Sequence, residues 1–116
     1  MEIWHNPRCT KSRQTLTLLE GAGVQPTVRR YLDDPPTVTE LDAALTALAL
    51  EPWELTRMGE ARAKELGLKD REHDRAAWIE LMVADPILIE RPIVIADDGR
   101  AVVGRPPERV SELLPG

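Results

Sequence analysis

The chain has 116 residues, 42% hydrophobic and 30% charged, enough for one compact domain that buries a core without disulfides or metals. Its net charge of −5 argues against nonspecific attraction to nucleic acid or anionic membrane, and no apolar run approaches the roughly 20 residues of a membrane helix. Cys9 is the single cysteine, so no internal disulfide can form, and a lone thiol fits a reducing, cytoplasmic setting. Met1-Glu2-Ile3-Trp4-His5 lacks the basic start and apolar run of a leader.

Glu2–Trp4 reads as a short first strand. Thr10–Glu20 reads as a helix, with Leu16 and Leu19 on one face and Lys11, Arg13 and Gln14 outward. Gly21 and Gly23 terminate it. Pro26–Leu32 reads as a second strand carrying Val28, Tyr31 and Leu32. Pro35-Pro36 then breaks the chain. Thr37 and Glu40 form a capping box ahead of Leu41, Ala44, Leu45 and Leu48, the stripe of an amphipathic helix. Pro52 opens a short helix through Trp53 and Leu55, and Glu60–Leu66 is another, ending at Gly67. Asp74 caps a helix holding Trp78, Leu81 and Met82, stopped by Asp85-Pro86. Strand chemistry returns at Pro92–Ala96; Asp97-Asp98-Gly99 signals a hairpin turn, and Ala101–Val103 is the returning strand. Pro106 or Pro107 opens a final helix with Val110, Leu113 and Leu114 on one face. A strand-helix-strand start calls for parallel strands with a right-handed crossover. The expected class is α/β: a single thioredoxin-like domain over residues 1–116, with a four-stranded mixed sheet and a helical insertion at about residues 35–86.

Cys9 falls where the first strand gives way to the first helix. Unpaired N–H groups at a helix start carry partial positive charge and favour thiolate, the nucleophilic form. Lys11 and Arg13 add nearby cations. A free cysteine is most often a small buried hydrophobe. The polar run Asn6-Pro7-Arg8-Cys9-Thr10-Lys11-Ser12 points instead to a reactive one. Ser12 stands where a dithiol enzyme has its second cysteine. A Cys-x-x-Ser site cannot resolve its own mixed disulfide, so an outside thiol must do so. Ser12 could equally bond backbone at the helix start. No His/Cys/Asp/Glu spacing suggests a metal, and no Gly-rich phosphate loop is present. Trp53, Trp78, Met58 and Met82 read as packing, and His73, in a charge run, as a solvated loop residue.

His5-Asn6-Pro7-Arg8-Cys9-Thr10-Lys11-Ser12-Arg13 resembles the active-site segment of the glutaredoxin/glutathione-dependent arsenate reductase family, in its short form. The likeness continues through Tyr31-Leu32, Pro35-Pro36, Lys64-Glu65-Leu66-Gly67-Leu68, the run Pro86 to Val94, and Gly104-Arg105-Pro106-Pro107-Glu108. It implies that the Cys9 thiolate attacks arsenic in arsenate, glutathione reacts with the adduct, and glutaredoxin completes reduction to arsenite. Glutathione is then a co-substrate, and no cofactor is bound. The family's three oxyanion-binding arginines map onto Arg57, Arg91 and Arg105. Its upstream histidine maps onto His5, and its cis-proline beside the cysteine onto Pro92. Thr10 and Ser12 are expected to donate hydrogen bonds at the helix start. Arginine's planar fork suits a tetrahedral oxyanion, and the same charge lowers a thiol pKa. Each arginine has the alternative of a solvated residue or an ion pair with one of the 20 acidic residues. That alternative weighs most on Arg57. His5 either orients Cys9 or packs at a strand end.

The expected activity is arsenate reduction by a monomer that binds arsenate or a related oxyanion, glutathione and glutaredoxin, and neither nucleic acid nor membrane. One rival is a glutathione-dependent thiol reductase without arsenate activity. The other is a redox-sensing transcription regulator that binds RNA polymerase, against which Ser12 and the absence of a second cysteine both count.

Overall fold

The computed structural model describes residues 1–115. The chain divides into two compact units, Met1–Asp34 together with the chain from Arg91 onward, and Pro35–Glu90.

The first unit is built on a four-stranded sheet. Its strands are β1 (Glu2–Trp4), β2 (Thr27–Arg29), β3 (Ile93–Ile95) and β4 (Ala101–Val103), in the order β2-β1-β3-β4. β1 pairs parallel with β2 and antiparallel with β3, and β3 pairs antiparallel with β4. Helix α1 (Thr10–Gly21) makes the parallel crossover. The register sets Ile3 beside Val28 and Val94, and Val94 beside Val102. Ile3, Val94, Ala96 and Val102 pack with Leu19 of α1 and with Val110 and Leu113 in one apolar cluster. This is the mixed α/β sheet of a thioredoxin-like fold.

Two elements differ from expectation. β2 ends at Arg29, so Tyr31 and Leu32 lie outside it. The N–H groups of Asp33 and Asp34 both bond the Arg30 carbonyl, turning the chain away from the sheet. Tyr31 is thereby fully buried while Leu32 and Val28 stay exposed. The final helix, Pro107–Leu113, is 3₁₀ rather than α, closed by bonds such as Leu114 N–H to the Ser111 carbonyl at 3.1 Å. Leu114 falls past its end but still packs on the core.

The second unit holds α2 (Val38–Leu48), α3 (Pro52–Leu55), α4 (Ala61–Glu65) and α5 (Arg75–Ala84), with short 3₁₀ turns at Leu68–Asp70 and Pro86–Leu88. The capping box at α2 is complete: Glu40 N–H reaches Thr37 Oγ1 at 3.1 Å, and Thr37 N–H reaches Glu40 Oε1 at 2.8 Å. Leu41, Ala44 and Leu45 are buried along one face. A second core gathers Ala63, Leu68, Trp78 and Leu88. His73 is exposed but not merely solvated, since its ring stacks on Trp53 at 4.1 Å. Planar stacking lets an amphipathic ring shield apolar surface while its nitrogens stay wet. Among the described residues no helix is long and apolar enough to cross a membrane.

Replacing Thr37 by Ala removes the hydroxyl that accepts Glu40 N–H and should cost about 1 kcal/mol. The expected result is a lower urea midpoint with the slope of the transition unchanged.

Candidate active site

β1 delivers the chain to the site. His5 extends the β1–β2 pairing by one bond, its N–H reaching the Arg29 carbonyl at 2.8 Å. The chain then folds into a tight loop closed by the Cys9 N–H on the Asn6 carbonyl at 3.0 Å. Arg8 N–H bonds Asn6 Oδ1 at 3.0 Å, the local side-chain turn that asparagine favours. Ser12, on the first turn of α1, is fully buried and ties this loop down. Its Oγ accepts the Asn6 N–H at 3.0 Å and lies 2.6 Å from His5 Nδ1. Burial, with the charges of Arg30 and Arg13, holds the His5 pKa below its ordinary value. A neutral His5 leaves Nδ1 free to accept the Ser12 O–H while the same oxygen accepts Asn6 N–H. Ser12 and His5 thus brace the loop that presents the cysteine. Thr10 is exposed, and its Oγ1 accepts from Arg13 Nη2 at 3.2 Å. Arg13 Nη1 meanwhile donates to the Pro7 carbonyl at 2.9 Å, clipping the far side of the loop.

Cys9 is the N-cap of α1, with extended backbone and 9% of its surface exposed. Burial pushes its thiol pKa up. The Ser12 N–H, a hydrogen bond and the charge of Arg91, and the Lys11 N–H together outweigh burial and hold the pKa below the ordinary cysteine value. Arg105 Nη2 also donates to Cys9 Sγ at 3.6 Å.

Two arginine–proline junctions supply these guanidinium groups. The Arg91–Pro92 and Arg105–Pro106 bonds are both cis. The junctions are cross-linked: Gly104 N–H bonds the Pro92 carbonyl at 2.9 Å and Arg105 Nε bonds the Arg91 carbonyl at 2.8 Å. Gly104 has no room for a side chain. A Cβ there would stand 2.5 Å from Thr15 Oγ1 and 2.8 Å from Pro92 Cγ. Thr15 in turn donates to the Lys11 carbonyl at 2.8 Å, within α1. Helix α1 and both junctions are thus in van der Waals contact at one point.

The structure therefore brings His5, Cys9, Ser12, Arg91, Pro92 and Arg105 together. Arg57 belongs to the helical unit, where it pairs with Glu60 at 3.1 Å and Glu90 at 2.8 Å. Asn6 and Gly104 lie in segments the sequence reading singled out but were given no role there, and Thr15 was not singled out. The repeated Arg-Pro dipeptide, with a glycine just before the second copy, was the available signal for Gly104. Thr15 had none, because its contact is distant in sequence. Among the described residues no cluster of His, Cys, Asp and Glu could hold a metal ion. The groups assembled here suit a thiolate nucleophile facing an oxyanion.

The ArsC family model matches residues 4–113. A Streptomyces viridochromogenes protein of the glnII region is 50% identical, with 98% of each chain covered. The arsenate reductase of Neisseria meningitidis serogroup B is 42% identical, covering 98% of this chain and 97% of its own. Among solved structures, the arsenate reductase from Vibrio cholerae superposes with a TM-score of 0.92 at 46% identity, over 97% of this chain and 96% of that one.

The Arg91 contribution is checked by the pH profile of Cys9 alkylation with iodoacetamide. Replacing Arg91 by Met should move the midpoint to higher pH, since a bond and a charge that favour thiolate are lost. Replacing Gly104 by Ala should cost roughly 1–3 kcal/mol from overpacking and also slow alkylation at neutral pH, by pushing Arg105 and Pro92 away from the thiol.

Proposed function

The chain belongs to the ArsC family, and on that footing we propose that it is an arsenate reductase whose nucleophile is the Cys9 thiolate. The observation that carries this reading is the placement of Arg105 Nη2 at 3.6 Å from Cys9 Sγ, with Arg91 also lowering the thiol pKa. In the proposed reaction Sγ attacks arsenic, a sulfur–arsenic bond forms and one arsenate oxygen leaves as water. Two outside thiols then supply two electrons: arsenic(V) becomes arsenic(III), the thiols end as a disulfide, and Cys9 is regenerated. Arg91 and Arg105 hold the oxyanion and stabilise charge developing on its oxygens. Arg57 enters the proposal as a third oxyanion ligand from sequence resemblance alone, since its own partners are Glu60 and Glu90. His5 and Ser12 act as positioning residues through the loop they brace. Thr10 acts through the helix start, and Pro92 by setting Arg91 beside the thiol.

We assign the electron supply to glutathione and glutaredoxin. The support is the single cysteine, which leaves no internal partner to form a disulfide, together with the resemblance of the Cys9 segment. A reduced thiol of this kind belongs in the cytoplasm. No bound cofactor enters the proposed reaction. We take a monomer as the working unit.

The test is arsenate-dependent NADPH oxidation coupled through glutathione, glutaredoxin and glutathione reductase. Wild-type protein should turn over, and Cys9→Ser should reduce the rate to background. Full activity in that variant overturns the mechanism. Equal turnover when thioredoxin and its reductase replace the glutathione system overturns the assigned electron donor, while leaving arsenate reduction in place.

A further inference from the structure

A groove of about 490 Å³ runs between the exposed face of α1 and the segment that follows Arg105. It is lined by Thr10 and Pro106, each one residue beyond Cys9 and Arg105, whose side chains are 3.6 Å apart. Two of its lining residues are thus the chain neighbours of the Cys9–Arg105 pair. Its volume lies in the range of small-molecule sites. Leu18, 41% exposed, and the prolines supply apolar wall. Lys11 and Arg13 line it on the helix side and Glu108 on the other. The Lys11 and Glu108 side chains have no ion-pair partner among the described residues. An acidic chain thus places two cations and one carboxylate around a slot lined by the residue that follows its only thiol.

We propose that this groove is the docking site for the small peptide thiol that discharges Cys9, one carrying two carboxylates and one ammonium group. Lys11 and Arg13 take the carboxylates and Glu108 takes the ammonium. The thiol-bearing residue at the peptide's centre then lies toward Thr10 and Pro106, next to Sγ. Glutathione has this charge pattern and is the probe. The inference rests on the proposed need for an outside thiol, but its test does not require arsenate.

The readout is disulfide exchange between the Cys9 thiolate and glutathione disulfide. A bond forms between Sγ and one glutathione sulfur, the sulfur–sulfur bond of the reagent breaks, and one glutathione thiolate leaves. The rate is followed by mass spectrometry of intact protein and divided, for each variant, by its rate with neutral iodoacetamide, so that changes in thiol reactivity itself cancel. Lys11→Glu should lower this ratio about tenfold, through loss of one carboxylate contact and its replacement by repulsion. Glu108→Lys separates docking from simple charge attraction. Docking predicts a lower ratio, because the ammonium loses its partner. Attraction of an anionic reagent to a more positive surface predicts a higher one. An unchanged ratio in Lys11→Glu, or an equal or higher ratio in Glu108→Lys, overturns the proposal. Failure of arsenate turnover with both ratios lowered would remove the arsenate reading and leave the groove standing. Normal arsenate turnover with both ratios unchanged would do the reverse.

Discussion

Two arginine–proline junctions, hydrogen-bonded to each other and pressed onto the first helix at a glycine, hold the chemistry of this protein in place. Gly104 is in contact distance of Thr15 on α1 and of Pro92, and its N–H bonds the Pro92 carbonyl. Arg105 Nε closes the second link to the Arg91 carbonyl. Neither guanidinium would sit beside Cys9 without that contact, because each hangs from a loop rather than from a strand or helix. The sheet matters to function mainly through this point. β3 follows directly from Pro92 and β4 leads directly into Gly104, so their antiparallel pairing brings the two junctions into register.

Ser12 stands three residues after Cys9 and braces the loop that carries it. A second cysteine there would offer an internal partner for the Cys9 sulfur. The serine instead buries a small hydroxyl with both of its hydrogen-bonding capacities in use, toward His5 and Asn6. A buried polar group so satisfied carries little penalty, whereas an unsatisfied one costs on the order of 1–3 kcal/mol. The loop is thereby fixed relative to α1, and the helix-start N–H groups stay aimed at Sγ. In the proposed reaction the electrons come from an outside thiol, for which the groove along α1 is the proposed docking site.

The parts of this protein that were legible in the sequence are those with local signals. The capping box at Thr37 and Glu40 depends on a three-residue spacing, and the hairpin at Asp97-Asp98-Gly99 on turn chemistry. The parallel first pair and the terminal antiparallel pair followed from a strand-helix-strand start and a hairpin turn. The end of β2 was not legible, because Tyr31 and Leu32 have strand-forming side chains while the turn that removes them is made by main-chain bonds to Arg30. The 3₁₀ character of Pro107–Leu113 was hidden for a related reason: apolar spacing over seven residues fits either helix type. In the site, Cys9 announced itself by its polar neighbours, and Arg91 and Arg105 by resemblance. Gly104 carried only the weak signal of a glycine before the second Arg-Pro pair, and Thr15 carried none, because their contact joins distant segments.

The distribution of charge explains how an acidic chain can keep a basic site. Many of its cations are balanced where they stand: Arg75 by Asp42 and Glu51, Arg62 by Glu65 and Asp85, Arg100 by Asp98, Arg57 by Glu60 and Glu90. Exposed pairs of this kind contribute only about 0–1 kcal/mol each to stability. Their larger effect is to lower the long-range field of those particular cations. Lys11 and Arg13 are exposed, while Arg91 and Arg105 are half-buried and reach the Cys9 sulfur. The thiolate is therefore served by two sets of cations with different duties. Arg91 lowers its pKa and Arg105 bonds its sulfur, and in the proposed reaction both face the oxyanion. Lys11 and Arg13 line the groove proposed for the incoming thiol.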